Sequence, residues 1–216
     1  VEYYFADFLS ILEYPKDKWK IKIMQLPYDF DAPEHLNDGV LKIPHNTWFI
    51  GTANKDDSTY TITDKVYDRA ISINFDDRNE EFEVSGDAET LPISYEGLEN
   101  LFNEAINNKD YSLNQTERQT FKIITDFTFE TFDLTFGNRI NHQINVFVPV
   151  FVATGGNKID ALDFMFSRKV ISKLQGRFED YIKQGLLDLR NLIVKHYGKD
   201  GFSLTLKEID KLLRKL

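Results

Sequence analysis

The spacing of apolar and polar positions changes near residue 92. Before it, short apolar runs bounded by Gly, Pro and Asp predict strands, at 18–26, 39–44, 47–52 and 70–75. A helix is predicted at 1–14, and a short one at 61–69. After residue 92 the apolar residues recur at helical spacing, which predicts helices near 95–107, 113–132, 138–154, 158–175, 178–197 and beyond 205. The pattern predicts an α/β part followed by an all-helical part.

Local signals mark the ends of the predicted helices. Ser112 and Gln115 match the capping-box pattern for the helix at 113–132, and Thr205 and Glu208 match it for the last helix. Pro149 lies inside the predicted helix at 138–154, so we expect it to kink that helix or to end it early.

The charge is uneven along the chain. The net charge is −9, and the segment 76–91 holds seven acidic residues and one basic residue, which contributes −6 of that total. We expect this segment to be a solvated acidic linker between a part at 1–75 and a part at 92–216. A broadly basic face for nucleic acid is not indicated by this balance.

Composition excludes several classes of protein. The chain has no cysteine, which excludes disulfides and thiolate chemistry. No apolar run approaches the roughly 18 residues of a membrane-spanning helix. The four histidines are scattered, so no metal site is predicted from them. We expect a cytoplasmic protein that does not contact a membrane.

Two polar residues flank the predicted strands at 47–52 and 70–75. Asn54 follows the first strand, where a neutral amide can orient a water molecule and contact a phosphate oxygen; an asparagine that satisfies a turn is the alternative. Arg69 precedes the second strand, and its planar guanidinium suits a phosphate group. Alternatively, Arg69 pairs with Asp68 or covers a sheet edge.

The segment IGTANKDDSTYTITDKVYDRAISINF resembles the sensor-1 to arginine-finger region of AAA+ NTPases, and especially the McrB-like motor subunits of modification-dependent restriction systems. The matching positions are Gly51, Thr52, Asn54, Asp56, Asp57, Ser58, Thr59, Val66, Asp68, Arg69 and Ala70. The opening VEYYFADFLSILE is similar to the helix that follows the Walker B segment of that family, and KVISKLQG at 169–176 is similar to part of its helical lid.

The resemblance implies a fold and a set of roles. The fold would be α/β plus all-α, with a partial AAA+ P-loop NTPase core at 1–75 and a helical lid domain at 92–216. Asn54 would be sensor 1 and would position the attacking water. Arg69 would be the arginine finger that acts on the neighbouring subunit's nucleotide. Asp56 would orient Asn54 or Arg69, with an Asx-turn as its alternative role. Arg139 would be the sensor-2 arginine, or else a surface arginine at the start of a helix.

The sequence contains no G-x-x-x-x-G-K-[ST] motif, and it opens inside a predicted helix. We therefore expect this chain to be part of a longer protein and not to be catalytically competent alone. The complete protein would use GTP or ATP with Mg²⁺, form a homo-oligomeric ring, and act on DNA through a nuclease partner; no cofactor is expected for this part. A non-enzymatic helical protein-interaction module is the alternative.

Alternating lysines mark the predicted hairpin at 18–44. Lys16, Lys18, Lys20 and Lys22 surround Trp19. Two interpretations remain open for this segment: contact with DNA or a partner inside a ring, or an ordinary amphipathic edge strand.

Overall fold

The computed structural model of the 216-residue chain describes residues 2–23, 25, 33–52, 64–75, 83, 86, 91–177 and 179–216. The chain divides into two compact units, Val1–Ile71 and Ser72–Leu216. Most of the predicted acidic linker at 76–91 lies outside the described residues.

The first unit combines two helices with a small sheet. Its elements are α1 (Glu2–Ile11), a 3₁₀ turn (Lys16–Lys18), β1 (Lys20–Lys22), β2 (Leu36–Asn37), β3 (Val40–Lys42) and α2 (Asp64–Arg69). The sheet is antiparallel with strand order β1-β3-β2. Asp38 and Gly39 connect β2 to β3 with φ angles of 52° and 73°, and two such residues in succession suit a tight hairpin turn. The predicted pairing of the segments around β1 and β3 is confirmed, although both strands are shorter than predicted.

A compact apolar cluster holds the first unit together. The rings of Phe5 and Phe8 in α1 stack at 4.9 Å, and Phe49 packs edge-on against Phe5 at 5.2 Å. Other apolar side chains of this unit are also buried: Leu9, Ile21, Ile43 and Tyr67. The predicted first helix and the predicted short helix ending at Arg69 are both confirmed.

The second unit is helical. Its elements are α3 (Tyr95–Asn107), α4 (Gln115–Phe132), α5 (Asn138–Ala153), α6 (Lys158–Lys169), a 3₁₀ turn (Ile171–Leu174), α7 (Asp180–Tyr197) and α8 (Ser203–Leu213). Its core is built mainly from apolar residues of α4 to α8. Phe121 of α4 packs against Phe166 of α6 and against Phe202 before α8, with ring centroids 6.0 and 6.3 Å apart.

The predicted helix ends are only partly correct. Asn114 caps α4, because its side chain accepts from the Glu117 amide and the Glu117 carboxylate accepts from the Asn114 amide at 2.7 Å. The capping box is therefore formed by this pair and not by Ser112 and Gln115. Helix α5 continues past Pro149 to Ala153, so the prediction of an early end is wrong.

The last helix is capped by a residue from another helix. It begins at Ser203, so the predicted capping box of Thr205 and Glu208 is wrong. Phe202 occupies the N-cap position and makes no side-chain hydrogen bond. Instead, Asp163 of α6 accepts hydrogen bonds from the Leu204 amide at 2.7 Å and the Thr205 amide at 2.8 Å. These two amides are the ones that an N-cap side chain normally satisfies.

The predicted partial AAA+ core is wrong. The sheet in the described residues is small and antiparallel, and the chain is mostly helical, whereas that core requires a parallel sheet. Residues 47–52 and 70–75, predicted to be strands, are irregular, and Ile50 and Phe75 are each 93% exposed. An apolar run forms a buried strand only where neighbouring strands supply ladder hydrogen bonds and cover its faces. The strands described in this chain do not do so for either segment.

Candidate functional site

Arg69 is the last residue of α2, a helix of six residues in the first unit. Tyr67 anchors that helix because its side chain is buried, with 8% exposed. Each residue of an α-helix is rotated by about 100° around the helix axis, so Arg69, two residues after Tyr67, is rotated by about 200° from it. Arg69 therefore lies on the side of α2 opposite Tyr67. The position explains why Arg69 remains partly accessible.

The guanidinium of Arg69 is held by an acid from a distant part of the sequence. Its Nε donates to Glu13 Oε1 at 2.6 Å, and the two side chains are 22% and 29% exposed. A guanidinium has five N–H donors in a planar fork, and the contact through Nε uses one of them. The geometry fixes the direction of the guanidinium and leaves the donors of its terminal nitrogens outside this contact.

Of the other predicted site residues, the structure describes only Arg139. Asn54 and Asp56 lie outside the described residues. Arg139 belongs to the second unit. It is exposed in the first turn of α5, which begins directly after the N-cap residue Gly137. Helix α5 has no acidic residue in its first turn and no side-chain cap. The partial positive charge of the helix dipole at that end is therefore not neutralised by the helix itself. Such a helix end is favourable for an anion, as the predicted sensor-2 role requires.

A groove of about 470 Å³ in the second unit lies beside α4 and the start of α5. Its two cations already make contacts with neighbouring groups. Arg118 donates to the Leu113 carbonyl at 3.1 Å and to Asn145 Oδ1 at 2.8 Å. Lys122 forms an ion pair with Asp126. Three phenylalanines also line the groove among other apolar and polar side chains, and none of the predicted site residues does.

The described residues offer neither a clustered metal site nor a membrane-spanning helix. They contain no group of three or more His, Asp or Glu side chains that could hold a metal ion. Within the same residues, no helix combines the length and apolar character needed to cross a membrane.

Sequence reasoning missed Glu13. It follows α1 and is separated from Arg69 by 56 positions, so no local motif connects them. The pairing exists because α1 and α2 pack together in the first unit. An acid directly after an amphipathic helix is too common to single out, and only tertiary contacts reveal its partner.

Comparison with known protein families identifies a match within the second unit. A family model described as Domain of unknown function (DUF8727) matches residues 88–216, which covers α3 to α8. No curated protein and no solved structure matches the chain at a significant level.

Proposed function

The chain belongs to the family described as Domain of unknown function (DUF8727), and we propose that it is a module of a ring-forming, NTP-hydrolysing motor of the McrB type. One observation carries the proposal. In the segment that resembles the arginine-finger region, Arg69 ends a helix, stays partly accessible and is directed by an acid through Nε. An arginine held in this way can present its terminal nitrogens to a phosphate group.

The proposed role of Arg69 is to contact the γ-phosphate bound to the neighbouring subunit and to stabilise the charge that develops there during transfer. Asn54 orients the attacking water in its own subunit, and Asp56 supports this arrangement. Arg139 contacts the bound nucleotide. The substrate is GTP or ATP with Mg²⁺, the partner is a nuclease that engages DNA, and the compartment is the cytoplasm.

The first test measures NTP turnover in the complete protein that contains this chain. Arg69→Ala is expected to lower the turnover number at least about tenfold, because arginine fingers contribute roughly 10³–10⁵ in rate. Nucleotide affinity should change little, since the finger serves the neighbour's transition state. Arg69→Lys keeps the charge but loses the planar fork, so it should remain well below wild type. Unchanged turnover in Arg69→Ala would refute the assignment.

A mixing experiment tests whether Arg69 acts between subunits. Asn54→Ala and Arg69→Ala subunits are each expected to be inactive alone. In an equimolar ring, about a quarter of the head-to-tail interfaces combine an intact Asn54 with an intact Arg69 from the neighbour. Turnover should therefore reappear on mixing. If the mixture stays as inactive as its components, Arg69 does not act in trans.

A non-enzymatic interaction module is the second candidate, and the apolar stripe of α3 favours it. Leu101 and Phe102 lie on this stripe and are 53% and 37% exposed. A partner that covers them would bury apolar surface that the described residues leave in water. Binding of that partner should weaken in Leu101→Ser, whereas turnover would not depend on Arg69. Unchanged partner binding in Leu101→Ser would remove the support for this candidate.

A further inference from the structure

One face of the small sheet in the first unit carries a cluster of lysines. In the antiparallel register, Lys20 of β1 lies directly opposite Lys42 of β3, and Lys22 opposite Val40. Residues directly opposite each other, and residues two apart on one strand, share a face of the sheet. Lys20, Lys22 and Lys42 therefore share one face, and all three are exposed. We call this the lysine face.

The opposite face of the same sheet is apolar. Ile21 pairs with Leu41, and Leu41 pairs with Leu36 on the third strand. Ile21 is buried, with 7% exposed. The apolar face fixes the register, because a shift by one residue would bring the lysines into the core. The sheet must therefore present its lysines together on the outside.

The lysine face is electrostatically unfavourable by itself. Like charges directly opposite each other in an antiparallel pair destabilise the pairing. The third strand places Asn37 beside Val40 and adds no negative charge to this face. The acids closest in sequence are Asp17 in the 3₁₀ turn and Asp38 in the β2–β3 turn, both outside the strands. An anionic ligand that bridges Lys20 and Lys42 would remove the repulsion.

We propose that the lysine face binds the phosphate backbone of nucleic acid without reading its sequence. Lys20 and Lys22 lie about 6.8 Å apart along the strand, and Lys42 lies about 4.8 Å across. These flexible cations can contact several phosphates of one strand, and contact with phosphates releases counterions. A lipid surface fits less well, because Val40 is half-buried and the described residues of the lysine face include no exposed apolar side chain to insert.

The proposal goes beyond the proposed function because it involves neither Arg69 nor hydrolysis. It assigns a direct contact with nucleic acid to this chain, whereas the proposed motor reaches DNA through a partner. Its test needs no NTP, so the failure of one proposal is distinguishable from the failure of the other.

The test titrates a labelled DNA duplex of mixed sequence with the chain and follows fluorescence anisotropy at increasing salt. With three lysines engaged, the slope of log K against log salt should be about −2.7, which means about 40-fold weaker binding on going from 50 to 200 mM. The double variant Lys20→Gln/Lys42→Gln keeps one lysine of the face, so its slope should be near −0.9. Its binding at low salt should be weaker than that of wild type by at least about tenfold. The matched control is Lys109→Gln with Lys183→Gln, two exposed lysines of the second unit, which should bind like wild type.

Several outcomes would overturn the proposal. The first is absence of duplex binding at 50 mM salt. The second is equal weakening in both double variants, which would indicate a response to net charge alone. The third is binding to phosphatidylserine vesicles or to polyglutamate that is stronger than binding to the duplex and depends on Lys20 and Lys42. That result would assign the lysine face to a membrane or to an acidic protein. Arg69→Ala should leave duplex binding unchanged. A denaturation midpoint of the double lysine variant that is unchanged or higher shows that the sheet still folds, because these substitutions also remove the repulsion between Lys20 and Lys42.

Discussion

Replacing Asp163 by alanine is expected to destabilise the helical unit, because Asp163 supplies the cap that α8 lacks in its own sequence. The carboxylate accepts from the amides of Leu204 and Thr205 at 2.7 and 2.8 Å. Thr205 is fully buried, whereas Leu204 is 38% exposed. Water can therefore replace the cap at Leu204 but not at Thr205.

The magnitude follows from these two amides. An unsatisfied buried N–H costs about 1–3 kcal/mol, and losing a cap at a solvent-accessible amide costs about 0.5 kcal/mol or more. Asp163→Ala should thus lower the free energy of unfolding by about 2–3 kcal/mol. Asp163→Asn keeps one acceptor oxygen but turns its NH₂ group toward the other amide, so a smaller loss of about 1 kcal/mol is expected.

The pH dependence has a defined sign. Burial raises the pKa of Asp163, and the hydrogen bonds from Thr205 and Leu204 oppose that rise. A carboxyl whose pKa is raised on folding contributes stability that is present below its unfolded pKa of about 3.9 and is lost as pH rises through the folded pKa. The stability advantage of wild type over Asp163→Asn should therefore shrink as pH rises from about 4 toward neutral.

The two units allow an internally controlled assay. Both tryptophans, Trp19 and Trp48, belong to the first unit, so tryptophan fluorescence during urea unfolding follows that unit. Far-UV circular dichroism follows mainly the helices of the second unit. The Asp163 variants should shift the dichroism midpoint and leave the fluorescence midpoint in place. The matched control is Asp188→Asn, an exposed acid of α7 that accepts a hydrogen bond from Gln184 at 3.0 Å, with an expected change within about 0.5 kcal/mol. Equal effects of Asp163→Asn and Asp188→Asn, or a loss that grows with pH, would refute the reasoning.

Two further changes in the second unit test its packing. Gly185→Ala should lower the free energy of unfolding by about 1–3 kcal/mol, because a Cβ there would lie 2.6 Å from Phe132 Cε1, and this clash outweighs the better helix propensity of alanine. The control is Gly97→Ala, whose Cβ would face the partly exposed Ile93 side chain. Measured by urea unfolding, this control should lose much less stability than Gly185→Ala. Tyr197→Phe should leave stability at pH 7 unchanged or slightly higher, since the buried hydroxyl has no hydrogen-bond partner among the residues that the structure describes. Burial raises the pKa of Tyr197 to about 12, so the stability of wild type relative to Tyr197→Phe should fall as pH rises from 10 through 12, and a constant difference would contradict this account.

Helix positions were largely readable from the chain, because an amphipathic helix forms its own backbone hydrogen bonds. The spacing of apolar residues predicted every helix of the second unit. Local residues also end some of these helices: Ser94 caps α3, where its Oγ accepts from the Gly97 amide, and Gly198 ends α7 with a φ of 81° that suits glycine.

Strands were predicted less well, because a strand depends on partners elsewhere. The runs at 47–52 and 70–75 have strand-like composition, yet the described residues supply no neighbouring strands for them. The candidate site shows the same limit, since Arg69 was recognisable from its local motif while its partner Glu13 was not.

The sequence by itself determined the helices, the local caps, the alternation of lysines with apolar residues in β1 and the motif around Arg69. These features depend on residues within a few positions of one another. Only the tertiary structure decided that Glu13 directs Arg69, that Asp163 caps α8, and that Lys42 lies opposite Lys20. In each of these contacts, charged or polar groups far apart in the chain meet because apolar faces pack, and local periodicity does not specify which faces will meet.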